Sequence, residues 1–131
     1  MTSTLTIRDE SLSGESLHEW SLEVFTEKLT VRELIRSRVY QEVQDHNRKN
    51  NDVFRGFIQP EESEKVLNGW KVKNARQLDW KRQFDRAVEA FEKNQVLILI
   101  NDKQAESLDD EFDLGPTTCV TFLKLTALVG G

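Results

Sequence analysis

The sequence has few of the residues that build disulfides, metal sites and nucleophilic centres. Among its 131 residues are one cysteine, Cys119, and two histidines, His18 and His46. An intramolecular disulfide is therefore impossible, and a reducing cytoplasm is the compartment that this composition favours. Neither histidine has a second histidine or a cysteine at ligand spacing, so no metal site is predicted. Cys119 has only threonines and a valine beside it, which indicates a packed thiol rather than a nucleophile.

Long hydrophobic runs and an excess of basic charge are also missing. The longest apolar run, Val96 to Ile100, is too short to span a bilayer, and the first residues lack the basic and apolar segments of a signal peptide. The net charge is −5, with Lys and Arg interleaved with Asp and Glu, so nucleic acid is not the expected partner. There is no catalytic Ser-His-Asp order, phosphate-binding glycine loop or Cys-x-x-Cys, and no enzyme is predicted. The length and composition predict one soluble domain over residues 1–131.

The first 46 residues predict a β-hairpin followed by a helix. Apolar and polar residues alternate around Leu5 and again around Leu22, which is typical of two half-buried strands. Thr30 and Glu33 have the spacing of a capping box, in which each side chain bonds the other residue's backbone N–H. This box predicts the start of a helix, and the polar stretch after His46 predicts its end.

Residues 47–94 predict a helical insertion between this helix and the third strand. Pro60 precedes two glutamates, the composition of a first helical turn, so a short helix to about Asn68 is expected. Asp79 is the predicted N-cap of a longer helix. Its apolar residues recur at helical spacing and are Trp80, Phe84, Ala87, Val88 and Phe91. A stripe of this kind belongs to a core more often than to a docking surface.

The last third of the chain predicts strands around an acidic loop. Val96 to Ile100 is a continuous apolar run, typical of a central strand, and a turn and a short polar strand follow it. The stretch from Leu108 to Leu114 is acidic, which favours a solvated loop facing a basic partner over an ion site. The β-branched and apolar residues from Thr117 to Leu125 predict the final strand.

The chain then reaches Gly130 and Gly131, and residues 126–131 are predicted to form a flexible tail. Glycine has no Cβ, so a Gly-Gly end can pass through a narrow channel and leave its carboxylate open to attack on a nucleotide. The other interpretation is a frayed end without a function.

This order of elements resembles that of the ubiquitin-like β-grasp family. Val96 to Gln104 is similar to the family's hydrophobic strand and turn, Leu108 to Leu114 to its loop with a leucine anchor, and Val120 to Gly131 to its last strand and tail. The tail is also similar to those of the small subunit of molybdopterin synthase and the thiamine sulfur carrier. The resemblance implies an α+β fold, a mixed sheet with one crossing helix, which here carries the helical insertion.

The resemblance also implies a protein modifier. In the family, an adenylating enzyme uses ATP to activate the terminal carboxylate, a thiol displaces AMP, and the chain is joined to a lysine. On this chain Gly131 would react, Gly130 would keep the approach narrow, and Leu128 and Val129 would fill the enzyme's channel. Ubiquitin carries arginines shortly before its glycines, whereas this chain has Ala127, Leu128 and Val129, which implies a dedicated activating enzyme of bacterial type.

The implied partners are this activating enzyme, a conjugating enzyme, a deconjugating protease and the target proteins. The chain itself would bind no cofactor, since ATP belongs to the activating enzyme. Two alternatives stay open. The chain would be a sulfur carrier that ends as a Gly131 thiocarboxylate, or a non-covalent interaction module in which the two glycines have no role.

A partner-binding surface is predicted beside the tail. Alternation along the final strand directs Val120 and Phe122 inward and leaves Leu123 and Leu125 outward. Together with the strand Val96 to Ile100, these two leucines would form the apolar patch that ubiquitin-like proteins present to partners. The alternative is that the helices of the insertion cover this face.

Overall fold

The computed structural model describes residues 3–12, 18–49, 52–66, 69–73 and 77–129. In this part of the chain the fold is α+β, with a mixed sheet and two helices. The elements are β1 (Ser3–Ser11), β2 (His18–Val24), β3 (Lys28–Thr30), α1 (Val31–Lys49), β4 (Val53–Phe54), β5 (Ser63–Val66), β6 (Gly69–Val72), α2 (Trp80–Glu92), β7 (Val96–Ile100), β8 (Lys103–Gln104), β9 (Glu111–Asp113) and β10 (Cys119–Lys124).

The residues group into two compact units, and each contains its own sheet. The first unit comprises Met1–Leu34 and Ala90–Thr126, and the second comprises Ile35–Glu89 and Ala127–Gly131. The division falls within both helices, so α1 begins in the first unit and α2 ends in it.

The first unit contains a five-stranded mixed sheet with the order β2-β1-β10-β7-β8. β1 and β10 run parallel, with Ile7 paired to Val120, and every other neighbouring pair is antiparallel. The last strand therefore lies in the middle of the sheet, between the N-terminal hairpin and β7. A separate antiparallel pair, β3 with β9, joins Leu29 to Phe112.

Strand alternation decides which face of this sheet is buried. The inward residues predicted from β1 and β10 are confirmed, since each is at most 1% exposed: Leu5, Ile7, Val120 and Phe122. Leu22 of β2 and Ile98 of β7 share their face through the strand registers and are fully buried. Side chains of successive residues point to opposite faces of a strand, so the same registers place Leu97, Leu99 and Leu123 together on the outer face.

The predicted capping box starts α1. The Thr30 hydroxyl accepts from the Glu33 N–H at 3.1 Å, and the Thr30 N–H donates to Glu33 Oε1 at 3.0 Å. Two of the four backbone donors at the helix start are thereby satisfied. The helix continues to Lys49, three residues beyond the predicted end at His46.

Replacing Thr30 by alanine is expected to lower the free energy of unfolding by about 1 kcal/mol, because a helix-start N–H loses its acceptor. Urea denaturation measures the change. Thr117→Ala is the matched control at an exposed turn position, where the change should stay within about 0.5 kcal/mol. Equal losses in the two variants would contradict the role assigned to the cap.

In the second unit, β4, β6 and β5 form a three-stranded antiparallel sheet. The short helix predicted from Pro60 is therefore wrong, and its predicted end at Asn68 lies outside the described residues. Glu62 has a φ of 56°, which a right-handed helix does not allow, so the chain turns there and enters β5. The region 47–94, predicted to be a helical insertion, thus contains a sheet as well as α2.

Gly69 allows β4 and β6 to approach closely. Its φ is 157°, and a Cβ at this position would lie 2.4 Å from the carbonyl oxygen of Phe54. The next residue, Trp70, donates its indole N–H to the Gly56 carbonyl at 3.1 Å. A side chain at position 69 would push these strands apart.

α2 begins where the sequence predicted. The Asp79 carboxylate accepts from the Lys81 N–H at 3.0 Å, which confirms the N-cap. The predicted apolar stripe is divided by burial. Ala87 and Phe91 are buried, whereas Trp80, Phe84 and Val88 are half-buried. Gln83, which the apolar pattern missed, is fully buried.

A buried ion pair lies on α1 within the second unit. The Arg38 side chain is 1% exposed and the Glu42 side chain 9%, and Arg38 Nη2 lies 3.3 Å from Glu42 Oε2. The other Glu42 oxygen accepts from the Phe57 N–H at 3.3 Å, and the guanidinium lies 4.5 Å from the centre of the Phe57 ring. The pair therefore fixes residue 57 to the helix.

Candidate functional site

We call residues 125–129, which connect β10 to the two glycines, the C-terminal approach. After β10, Leu125 is 38% exposed, Leu128 is only 3% exposed and Val129 is 43% exposed. Gly130 and Gly131, the predicted reacting residues, lie outside the described residues. Of the two apolar residues next to the glycines, Leu128 is thus buried and Val129 is exposed.

Hydrogen bonds to their backbone carbonyls hold Leu128 and Val129 in the second unit. The Gln59 N–H donates to the Leu128 carbonyl at 2.8 Å, and Gln59 and Val129 form a parallel bridge. Arg86 Nε donates to the Val129 carbonyl at 3.0 Å. We call Gln59 and Arg86, together with Ile58 next to Gln59 and Gln83 that bonds the Ile58 carbonyl, the tail seat.

Within the tail seat, residues 58 and 59 are fixed by bonds to α2 and to the start of β5. The buried Gln83 donates its side-chain N–H to the Ile58 carbonyl at 3.1 Å, and Ile58 is fully buried. The Gln59 side chain donates to the Ser63 carbonyl at 3.2 Å. The backbone that receives Leu128 is therefore anchored on two sides.

Opposing contributions of similar size act on the held residues. Burying a leucine side chain contributes about 1.5–3 kcal/mol. The hydrogen bonds to the carbonyls of Leu128 and Val129 contribute about 0.5–1.5 kcal/mol each. Ordering the backbone of two residues costs about 1–2 kcal/mol for each. The gains and the cost are therefore of similar size, and the free-energy difference between the held and released forms is at most about a few kcal/mol.

The structure describes residues 126–129 of the tail that was predicted to be flexible, and that flexibility stays a prediction. Within residues 127–129, Val129 forms a parallel bridge with Gln59 and Leu128 is buried. Val129 keeps an exposed side chain, whereas the Leu128 side chain is buried. The role predicted for both residues in an enzyme channel stays a prediction. The flexibility of residues 130 and 131 stays a prediction.

The predicted partner-binding leucines lie in the first unit. Leu123 is half-buried and Leu125 is exposed. Leu123 pairs with Leu97 across the sheet, and Leu99, two pairs further along and on the same face, is also half-buried. Glu10 of β1 pairs with Leu123 on its other side. The outer face thus carries an apolar patch with a charged neighbour.

An open groove of about 470 Å³ lies in the first unit and shares Leu97 with this patch. Phe91, Ala105 and Leu108 contribute apolar side chains to it. At its rim, Arg32 Nη2 lies 3.8 Å from the Asp109 carboxylate. Both charged side chains are at least half-exposed, which makes this ion pair weak.

One carboxylate of the acidic loop forms hydrogen bonds with nearby backbone N–H groups. The Asp110 carboxylate accepts from the N–H groups of Glu106 at 3.0 Å and Ser107 at 3.1 Å. Asp113 lies 3.8 Å from the ammonium group of Lys28 on the paired strand, with its side chain 85% exposed. A solvated loop is the interpretation that these exposed acids support.

The remaining candidate groups have structural surroundings. His46 is buried and meets the Phe54 ring edge-on at 5.5 Å, and His18 is exposed. Cys119 is half-buried, and its N–H donates to the Asn101 side chain at 2.9 Å. In the ranges that the structure describes, no three His, Cys, Asp or Glu side chains group together as metal ligands would. Neither described helix combines the length and the apolar character needed to cross a membrane.

Comparisons with protein-family models, with curated proteins and with solved structures find no match to this chain.

Proposed function

We propose that this chain is a ubiquitin-like protein modifier with a β-grasp fold, activated at the carboxylate of Gly131 and joined to lysines of target proteins. The strand order β2-β1-β10-β7-β8, with β1 and β10 as parallel neighbours, carries the proposal. A β-grasp sheet has the same plan, with the last strand parallel to the first in the middle of the sheet. In this plan the last strand delivers the reacting end, and β10 leads into Leu128, Val129 and the two glycines.

The chemistry needs one reacting group from this chain. The carboxylate of Gly131 attacks the α-phosphorus of ATP in an adenylating enzyme, and pyrophosphate leaves. A cysteine thiol of a partner attacks the resulting acyl adenylate, AMP leaves, and a thioester forms. The amine of a target lysine then displaces the thiol, which leaves an isopeptide bond. The catalytic groups and ATP belong to the partners, so the chain acts as a substrate in a reducing cytoplasm.

The approach to the glycines favours a dedicated activating enzyme. The exposed Val129 side chain and, once released, Leu128 would fill an apolar channel of that enzyme. Gly130 and Gly131 would fit its narrow end, because neither carries a Cβ. The patch that contains Leu123, with Leu125 beside it, is the surface proposed to contact the activating or conjugating enzyme.

Incubation with the adenylating enzymes of its source organism, ATP and a thiol tests the proposal through the intact mass of the chain. A thioester or lysine adduct that is lost on deleting Gly130 and Gly131 would support the modifier. A mass change equal to oxygen-to-sulfur exchange would support the sulfur carrier instead. An unchanged mass with every such enzyme would leave the non-covalent interaction module.

A further inference from the structure

We propose that the tail seat is a latch, which holds Leu128 and Val129 in the second unit and releases them before the activating enzyme takes the tail. The inference rests on the proposed function, because it concerns access to Gly131. Arg86 is the side chain that controls the latch, through its hydrogen bond to the Val129 carbonyl.

Leu128 and Val129 must be released for the tail to extend far enough into the channel of the activating enzyme. An extended chain spans at most roughly 3.3–3.6 Å per residue. With Leu128 and Val129 held, only the two glycines can extend from the second unit, over roughly 7 Å. Release of both held residues doubles this reach to roughly 14 Å. A channel that takes the apolar side chains as well as the glycines can therefore accept only the released form.

The positions of the two carbonyls make Arg86 the point of control. The Leu128 carbonyl is held by the Gln59 backbone N–H, which side-chain substitution leaves in place. The Val129 carbonyl is held by Arg86, whose side chain is 20% exposed and also lies 3.8 Å from Glu89. Arg86→Met removes the donor and retains an unbranched apolar chain of similar length. Glu89→Gln removes the charge next to Arg86 and leaves its donor to Val129 in place.

The first test measures amide hydrogen exchange of Gln59 by NMR, without any partner enzyme. The Gln59 N–H is protected only while Leu128 is held, so its exchange reports release. Arg86→Met is expected to speed this exchange about 3- to 10-fold, the range that one net hydrogen bond implies. Glu89→Gln should leave it unchanged. The Val72 amide, which donates to the Asp52 carbonyl, should exchange equally in all three proteins and controls for general loosening.

The second test measures activation by ATP–pyrophosphate exchange with the adenylating enzyme. Since the apparent affinity is proportional to the released fraction, Arg86→Met should raise kcat/KM by at most the factor found for Gln59 exchange. Glu89→Gln should activate like the original chain.

Two results would overturn the latch, and a third, distinguishable from both, would overturn the proposed function on which it rests. Equal Gln59 exchange in all proteins would show that Arg86 does not hold the tail, whatever the activation assay gives. Faster exchange in Arg86→Met together with slower activation would show that the tail seat presents the tail rather than restraining it. Absence of activation even for the original chain would overturn the proposed function, and the exchange data would then describe docking alone.

Discussion

Replacing Gly130 by valine is expected to abolish ATP-dependent activation of Gly131 while leaving the fold intact. A β-branched side chain next to the reacting residue would fill the space through which a Gly-Gly end passes, and it would disfavour the backbone conformations that glycine alone adopts readily. We expect activation to fall at least about 100-fold, the scale on which a misplaced reacting group lowers a rate. ATP–pyrophosphate exchange measures this loss, and urea denaturation measures stability, which should change by less than about 0.5 kcal/mol.

Gly115→Val is the matched control for this substitution. A Cβ at Gly115 would meet only the Thr118 hydroxyl, at 3.8 Å, which is an ordinary contact. The same exchange of glycine for valine at this turn should therefore preserve both folding and activation. A Gly130→Val protein that is activated as well as the original chain would remove Gly130 from the proposed site.

Replacing Glu42 by alanine is expected to lower the free energy of unfolding by about 3–5 kcal/mol. The substitution removes the carboxylate that faces the buried Arg38 guanidinium and also the acceptor of the Phe57 N–H. A buried charge that loses its counter-charge carries a large desolvation cost, which explains the size of the effect. Urea denaturation monitored by circular dichroism gives the value.

Two further variants test whether burial of the Arg38–Glu42 pair explains the size of this loss in stability. Asp45→Ala disrupts the exposed pair of Asp45 with Arg48, on the same helix, and should cost less than about 1 kcal/mol. The double substitution Arg38→Met with Glu42→Leu should recover part of the stability, because apolar residues can replace a buried pair at little cost but leucine does not restore the Glu42 acceptor of the Phe57 N–H. Similar losses for Glu42→Ala and Asp45→Ala would mean that burial does not strengthen the inner pair.

Local sequence signals were sufficient where the structure depends on neighbouring residues. The spacing of Thr30 and Glu33 predicted the helix start, because the capping box is closed within four residues. Alternation along β1 and β10 predicted their buried faces, since one side of a sheet is apolar. The continuous apolar run of β7 predicted a strand between others for a different reason, because a strand with apolar side chains on both faces is typical of the interior of a sheet.

The sequence signals were insufficient where distant residues decide the conformation. The segment after Pro60 has the composition of a helix start, but pairing with β6 and the positive φ of Glu62 make it a turn and a strand. Arg86 lies 43 residues before the carbonyl that it holds, and no local pattern joins the two. The tail seat could therefore not be predicted from periodicity or composition.

Peptide mapping of the conjugates tests most directly whether Gly131 becomes covalently joined to lysine. Lys124 is the last basic residue, so trypsin leaves the seven residues 125–131 attached to each modified lysine. The modifier proposal predicts lysines that carry the remnant Leu-Thr-Ala-Leu-Val-Gly-Gly in reactions with ATP and the adenylating and conjugating enzymes of the source organism, and none after deletion of Gly130 and Gly131. Recovery of the C-terminal peptide only with a free Gly131 carboxylate, in reactions where those enzymes are demonstrably active, would contradict it.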